Sequence, residues 1–388
     1  MDNYVILQII EKGCTMEYIW NTKELEEDRK KLTDLLNKDG IDKQLINFNL
    51  FKYDQMIALS KNSIDNIANC ANGEKIVTLE ELINKESDFL HDSKTKGYTE
   101  LLIQALGNTC DINVPSFQRP KKWNKSNDVL VADTLEFFKR MTNKDMADKA
   151  SKVLTPQNHI LYIKGSTECD NGFSANSTSG ATIIDDITEK KHIWMESANN
   201  CYDLTILIHE IFHYIYRTSK NTKDNPLLSE VESTFSELLT IKYLEDYSLA
   251  YKEDIIANKY FFLSESKIRA MNTIYKNGII TMIIKDADSE MNLTKELWKI
   301  LFKVPFSTEA LAGYLKEFAE YDIIYSIGRL IAFDLFAIYQ EDSDHAFKLV
   351  SNIVNGDDSN VTSLLEKNDI TFFKDGCKNM KKYYKKID

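Results

Sequence analysis

The sequence has 388 residues, of which 43% are hydrophobic and 28% charged, and a formal net charge of −12 at pH 7. That balance excludes a disordered chain, and an acidic surface weighs against nucleic acid and anionic membrane as general partners. With only 13 Gly and 5 Pro, the composition suits long helices with short connections better than a turn-rich β-architecture.

Near the start, Tyr4–Ile10 is an apolar run preceded by Asp2 rather than by a basic residue. It is too short and wrongly flanked for a signal peptide, and no stretch reaches the length of a membrane span. The six cysteines (Cys14, Cys70, Cys110, Cys169, Cys201 and Cys377) contain no C-x-x-C pair and read as reduced thiols. A soluble, cytoplasmic protein is predicted. From Thr22 to about Ala150 the pattern is helical. Within it Glu24–Leu36 sets acidic residues ahead of basic ones at helical spacing, a solvated face. Pro115 and Pro120 fall in an irregular basic stretch that reads as a loop.

Between Pro156 and Cys201 the texture changes. HILYIKG (His159–Gly165), ATIID (Ala181–Asp185) and HIWMES (His192–Ser197) are short β-branched or alternating runs separated by Gly-, Ser- and Asn-rich turns. They predict a small antiparallel sheet leading directly into a helix, with HIWMES either packed in the sheet or forming its edge. After Tyr202 the chain returns to helix almost to its end. The predicted architecture is mainly α (α+β, with the sheet before the key helix) and has a deep cleft. Two regions are predicted: an N-terminal helical lobe over 1–155, and a region holding the small sheet and the C-terminal helices over 156–388.

YDLTILIHEIFHYIY contains H-E-x-x-H. On a helix His209 and His213 are one turn apart and share a face, so both imidazoles can reach one metal ion. Glu210 lies beside them, placed for a water rather than for the metal. Two neutral imidazoles hold Zn²⁺ without cancelling its Lewis acidity, and the carboxylate takes a proton as water attacks a carbonyl. The surrounding Leu204, Ile206, Leu207, Ile208, Ile211, Phe212 and Ile215 predict a buried helix. Thr205, His209 and His213 form a polar stripe on it that needs partners.

A catalytic zinc takes a third protein ligand. The next patterned segment, PLLSEVESTFSELLTIKYL, opens with helix-start signals at Pro226 and a possible capping box of Ser229 with Glu232. Glu230 is 17 residues past the second histidine. Glu232 and Glu237 compete with it, and position alone favours Glu230 only modestly.

These motifs resemble the zinc oligopeptidases typified by thimet oligopeptidase and oligoendopeptidase F. In that family H-E-x-x-H is followed on the next helix by E-[VA]-x-S-T/Q-x-x-E, and this chain has EVESTFSE at Glu230–Glu237. The resemblance implies that His209, His213 and Glu230 bind one Zn²⁺, that Glu210 is the general base, and that Glu237 supports the site. The family's Asp six residues before the first histidine is matched by Asp203. Its downstream Tyr-rich segment resembles EYDIIYSIGRLIAFDLF, which implies oxyanion-stabilising roles for Tyr325 and Tyr321, with Gly328 placed as in oligoendopeptidase F. Ile323 stands where oligoendopeptidase F has a further tyrosine, and members of the family are usually longer.

The resulting expectation is a zinc metallopeptidase acting on short peptides, without nucleic-acid or membrane partners. The oligomeric state is not read from the sequence. Two alternatives stay open: a zinc hydrolase with another carbonyl substrate, and an inactive peptide-binding relative. The presence of Glu210, which a metal-only site does not need, speaks against the second.

Overall fold

The computed structural model describes residues 17–36, 38, 42–61, 122–123, 125–165, 179–224, 226–247, 252–285, 292–356, 361–370, 378–379 and 382. The described residues fall into two compact units. One draws on 1–74, 118–220 and 239–258, the other on 221–238 and 259–388. The expected N-terminal apolar run, the loop around Pro115 and Pro120 and most of the basic C-terminal segment lie outside the described residues.

In the first unit, helices α1 (Thr22–Leu35) and α2 (Lys43–Ser60) start at Asn21 and Asp42, whose side chains accept from backbone N–H groups of the first turn. Such caps satisfy donors that a helix start leaves without partners. Leu25, Leu32, Ile46, Tyr53 and Met56 are buried between these helices and the sheet. Two more helices follow, α3 (Asn127–Met141) and α4 (Lys144–Val153), capped in the same way by Ser126 and Asn143.

The sheet contains β1 (Leu161–Gly165), β2 (Ser179–Ile184) and β3 (Lys191–Ser197) in the order β1-β3-β2. All three predicted strands are present, but the sheet is mixed rather than wholly antiparallel. β2 and β3 run antiparallel with Thr182 opposite Ile193, whereas β1 and β3 run parallel with Tyr162 opposite Trp194. β3 is therefore central and cannot offer an edge, while β1 and β2 are the outer strands of the sheet among the described residues. Alternation along the strands sends successive side chains to opposite faces. Tyr162, Ile183 and Trp194 meet the α1–α2 core, and Gly180 and Thr182 meet the next helix, α5 (Cys201–Tyr216). At the β2–β3 turn, Tyr53 Oη donates to Asp185 and Lys52 Nζ to Asp186, so α2 clamps that turn.

After α5 come α6 (Ser219–Asp224), a 3₁₀ turn at Pro226–Leu228 and α7 (Val231–Tyr247). Among the described residues the remaining elements are helices: α8 (Lys252–Lys285), α9 (Asn292–Phe302), α10 (Thr308–Glu341), α11 (Ser343–Val354) and α12 (Val361–Lys367). Phe262 against Phe333, and Phe235 with Tyr339 and Phe347, join α7, α8, α10 and α11 by ring contacts. The chain is thus mostly helical with one small sheet, the predicted class. Among the described residues, no helix is long and apolar enough to cross a membrane.

Candidate active site

Helix α5 begins at Asn200, whose side chain accepts from Tyr202 N. Asp203 in its first turn accepts from the Ser197 hydroxyl and from Ala198 N. That ties the helix start to the end of β3 and places a negative charge where the helix dipole favours one. Leu204, Leu207, Ile208, Ile211 and Phe212 are all buried, and Phe138 of α3 packs on Phe212 with ring centroids 5.7 Å apart. Each such side chain contributes on the order of 2 kcal/mol, so the helix is fixed by its apolar faces.

The polar stripe lies within that burial. His209 and His213 are 5% and 3% exposed, with ring centroids 4.6 Å apart and planes nearly perpendicular. Thr205, one turn earlier, donates to Asn258 Oδ1 at 2.8 Å, so it finds its partner on α8. Glu210 is also buried and turns toward β2. Its carboxylate Oε2 accepts from Thr182 Oγ1 at 2.7 Å, and its own carbonyl oxygen lies 2.9 Å from the same hydroxyl. The sequence reading missed Thr182, because only the strand register brings it to Glu210.

Glu230 stands immediately before α7, in the N-cap position that the sequence had suggested for Ser229. Its carbonyl oxygen accepts from Thr234 N at 3.1 Å, and its carboxylate Oε2 accepts from Ser233 Oγ at 2.9 Å. Ser233 thus orients the carboxylate from three residues away. Gly328 of α10 lies against the same residue: a Cβ there would meet the Glu230 carbonyl oxygen at 2.8 Å and its carbon at 2.9 Å. Tyr325 is one turn before Gly328 on the same side of α10. Its ring lies 5.1 Å from the Arg269 guanidinium and 5.9 Å from that of Arg329. The side chain of Tyr321 lies outside the described residues.

Ligand atoms of His209, His213 and Glu230 lie within 4.8 Å of one another, and all three residues are buried. Two imidazole nitrogens and one carboxylate oxygen are the donor set of a catalytic zinc site with an open fourth position. The 4.8 Å bound encloses the separation of roughly 3.4 Å that tetrahedral bonds of about 2.1 Å require. The residues present fit the metal. The competing glutamates do not enter this group. Glu232 is fully buried but is not among the three, and Glu237 faces Arg329 Nη1 at 3.5 Å.

No family model matches the sequence, and no curated protein matches it. Solved structures do. A structure assigned as an oligoendopeptidase F superposes with a TM-score of 0.50 at 12% identity, over 94% of this chain and 66% of its own. A second oligoendopeptidase F assignment, from Bacillus anthracis, gives 0.46 at 15% identity over 95% and 68%. PZ peptidase A with an inhibitor gives 0.43 at 12% identity over 92% and 65%. The chain spans about two thirds of the length of these proteins. At such identities the likeness is one of fold, and the first comparison carries it: a mostly helical chain with a small sheet, shared with an oligoendopeptidase F-like structure.

Proposed function

We propose that this protein is a zinc metallopeptidase that hydrolyses peptide bonds in short peptides. The observation that carries the reading is the buried group of His209, His213 and Glu230, with the Glu210 carboxylate on the same helix turn as the two histidines. Zinc held by those three side chains would polarise a scissile carbonyl and acidify a water. Glu210 accepts the proton of the attacking water and returns it to the leaving amine, so one carboxylate serves as base and then as acid. Burial of the whole stripe keeps bulk water from competing and strengthens each charge interaction there. Tyr325, with Tyr321 as its companion, donates a phenolic hydrogen bond to the oxyanion that forms as the carbonyl carbon becomes tetrahedral. β2 is the strand along which an extended substrate pairs its backbone, since β3 is enclosed between two strands.

The test compares wild-type and Glu210→Gln protein for zinc content and for cleavage of a quenched-fluorescent peptide. The variant is expected to keep one zinc per chain and to lose cleavage by at least about a hundredfold. Cleavage at the wild-type rate by the variant contradicts the reading.

A further inference from the structure

A glutamate that moves a proton must hold one oxygen in a fixed direction, although its side chain has three rotatable bonds whose freedom is lost when it is held. Two residues of β2 supply that restraint. The Thr182 hydroxyl lies 2.7 Å from Glu210 Oε2 and 2.9 Å from the Glu210 carbonyl oxygen. It therefore lies within hydrogen-bonding distance of both the backbone carbonyl and the carboxylate of a single residue. Its one proton goes preferentially to the charged acceptor, where a hydrogen bond is about twice as strong. Gly180 is two residues earlier on the same strand face. A Cβ at that position would stand 2.8 Å from Glu210 Cγ, 2.8 Å from Ile206 Cγ2 and 3.1 Å from Glu210 Oε1. The stem of the glutamate thus occupies the space that any other residue at 180 would fill.

We infer that Gly180 and Thr182 form a seat that positions Glu210: Thr182 holds Oε2, and the bare Gly180 leaves Oε1 as the oxygen that exchanges the proton. Both are positioning residues, and the inference rests on the hydrolytic role proposed for Glu210. A valine at 182 keeps the shape and removes only the hydroxyl, and a serine keeps the hydroxyl.

The experiment measures zinc content, kcat and KM on a quenched-fluorescent peptide, and affinity for acetohydroxamate by calorimetry. Acetohydroxamate is a small zinc chelator whose hydroxyl proton a neighbouring carboxylate can accept, so its binding reports the carboxylate's position without turnover. Thr182→Val is expected to lower kcat about tenfold or more, to leave KM within about twofold, and to weaken acetohydroxamate about tenfold, with zinc content unchanged. Thr182→Ser should restore both to within about threefold of wild type. In a Glu210→Gln background Thr182→Val should change neither further, as for residues that act as one unit. Gly180→Ala should lower kcat by a similar factor, and wild-type kcat there removes Gly180 from the seat. A Thr182→Val variant with wild-type kcat and acetohydroxamate affinity overturns the inference. So does a loss that serine does not restore, or one that persists undiminished beside Glu210→Gln. Zinc-loaded wild-type protein that binds acetohydroxamate but cleaves no peptide overturns the peptidase reading alone, and the acetohydroxamate comparison then decides the role of Thr182. A chain that takes up no zinc overturns both.

Discussion

Glu230, Glu232 and Glu237 are all buried within one helical segment, and their surroundings separate them. Glu230 is turned by Ser233 into the group with the two histidines, whereas Glu237 faces a guanidinium. Glu230→Ala is therefore expected to lower zinc retention, and Glu232→Ala to leave it unchanged, as measured by metal analysis after dialysis. The opposite pattern would assign the ligand to Glu232. A different histidine adds to the response to acid. Burial, together with the neighbouring Lys190 ammonium, pushes the His192 pKa down to about 4, against an ordinary value near 6.5. Above pH 6.5 the imidazole is neutral both folded and unfolded, and it costs nothing. As pH falls from 6.5 toward 4, only the unfolded chain takes up the proton, so stability falls over that window by up to about 3 kcal/mol. Thermal unfolding of His192→Gln is expected to show a shallower fall between pH 6.5 and 4.5 than wild type. An identical slope would contradict that environment. The histidine pair was legible in the sequence because i, i+4 spacing on a helix is local geometry. Neither Thr182 nor Ser233 could be assigned a partner from sequence, since each depends on a register or a helix start that side-chain type alone does not specify.

The elements repeat that lesson. All three strands were legible as β-branched runs between Gly- and Asn-rich turns, because period-2 patterning is local. Their order was not, because pairing is decided by what covers each face: Ile193 and Met195 of β3 are fully buried, which suits a central strand. The start of α7 shifted to Val231 because a 3₁₀ turn at Pro226–Leu228 intervenes, leaving Glu230 rather than Ser229 as its cap. Two helix–helix joints carry testable consequences. Gly328 allows α10 to approach the backbone of Glu230 within the distance a methyl would need, and backbone atoms cannot step aside. Gly328→Ala is expected to destabilise the protein by about 1–3 kcal/mol and to weaken zinc retention. An unchanged melting temperature and unchanged metal content would show that the contact is not tight. Asp322 of α10 is fully buried and accepts from Arg269 at 3.1 Å and from Lys276 at 2.8 Å, both on α8. Asp322→Asn leaves two cations facing a neutral amide, and a loss of about 3–5 kcal/mol is expected in denaturant unfolding. A loss below about 1 kcal/mol would mean that water or another carboxylate replaces Asp322.

For the molecule as a whole, the mainly helical class was legible from the scarcity of Gly and Pro and from long apolar periodicities, and the shared fold with an oligoendopeptidase F-like structure agrees with it. The resemblance carried by EVESTFSE and the downstream tyrosines points the same way. The net charge of −12 bears on substrates too. An acidic protein attracts cationic peptides at low ionic strength, so kcat/KM for a peptide rich in Lys or Arg should fall as salt rises, while that for a neutral peptide should stay flat. Equal salt dependence for both would remove charge from the account of substrate capture. The central claim is that a metal site built by His209, His213 and Glu230, with Glu210 beside it, cleaves short peptides. Mass spectrometry of a mixed peptide library incubated with zinc-loaded protein, with chelator-treated protein and with chelator-treated protein given zinc again tests it most directly. Internal cleavage that disappears with the chelator and returns with zinc is the expected result. An intact library in all three samples, or cleavage indifferent to the chelator, would contradict it.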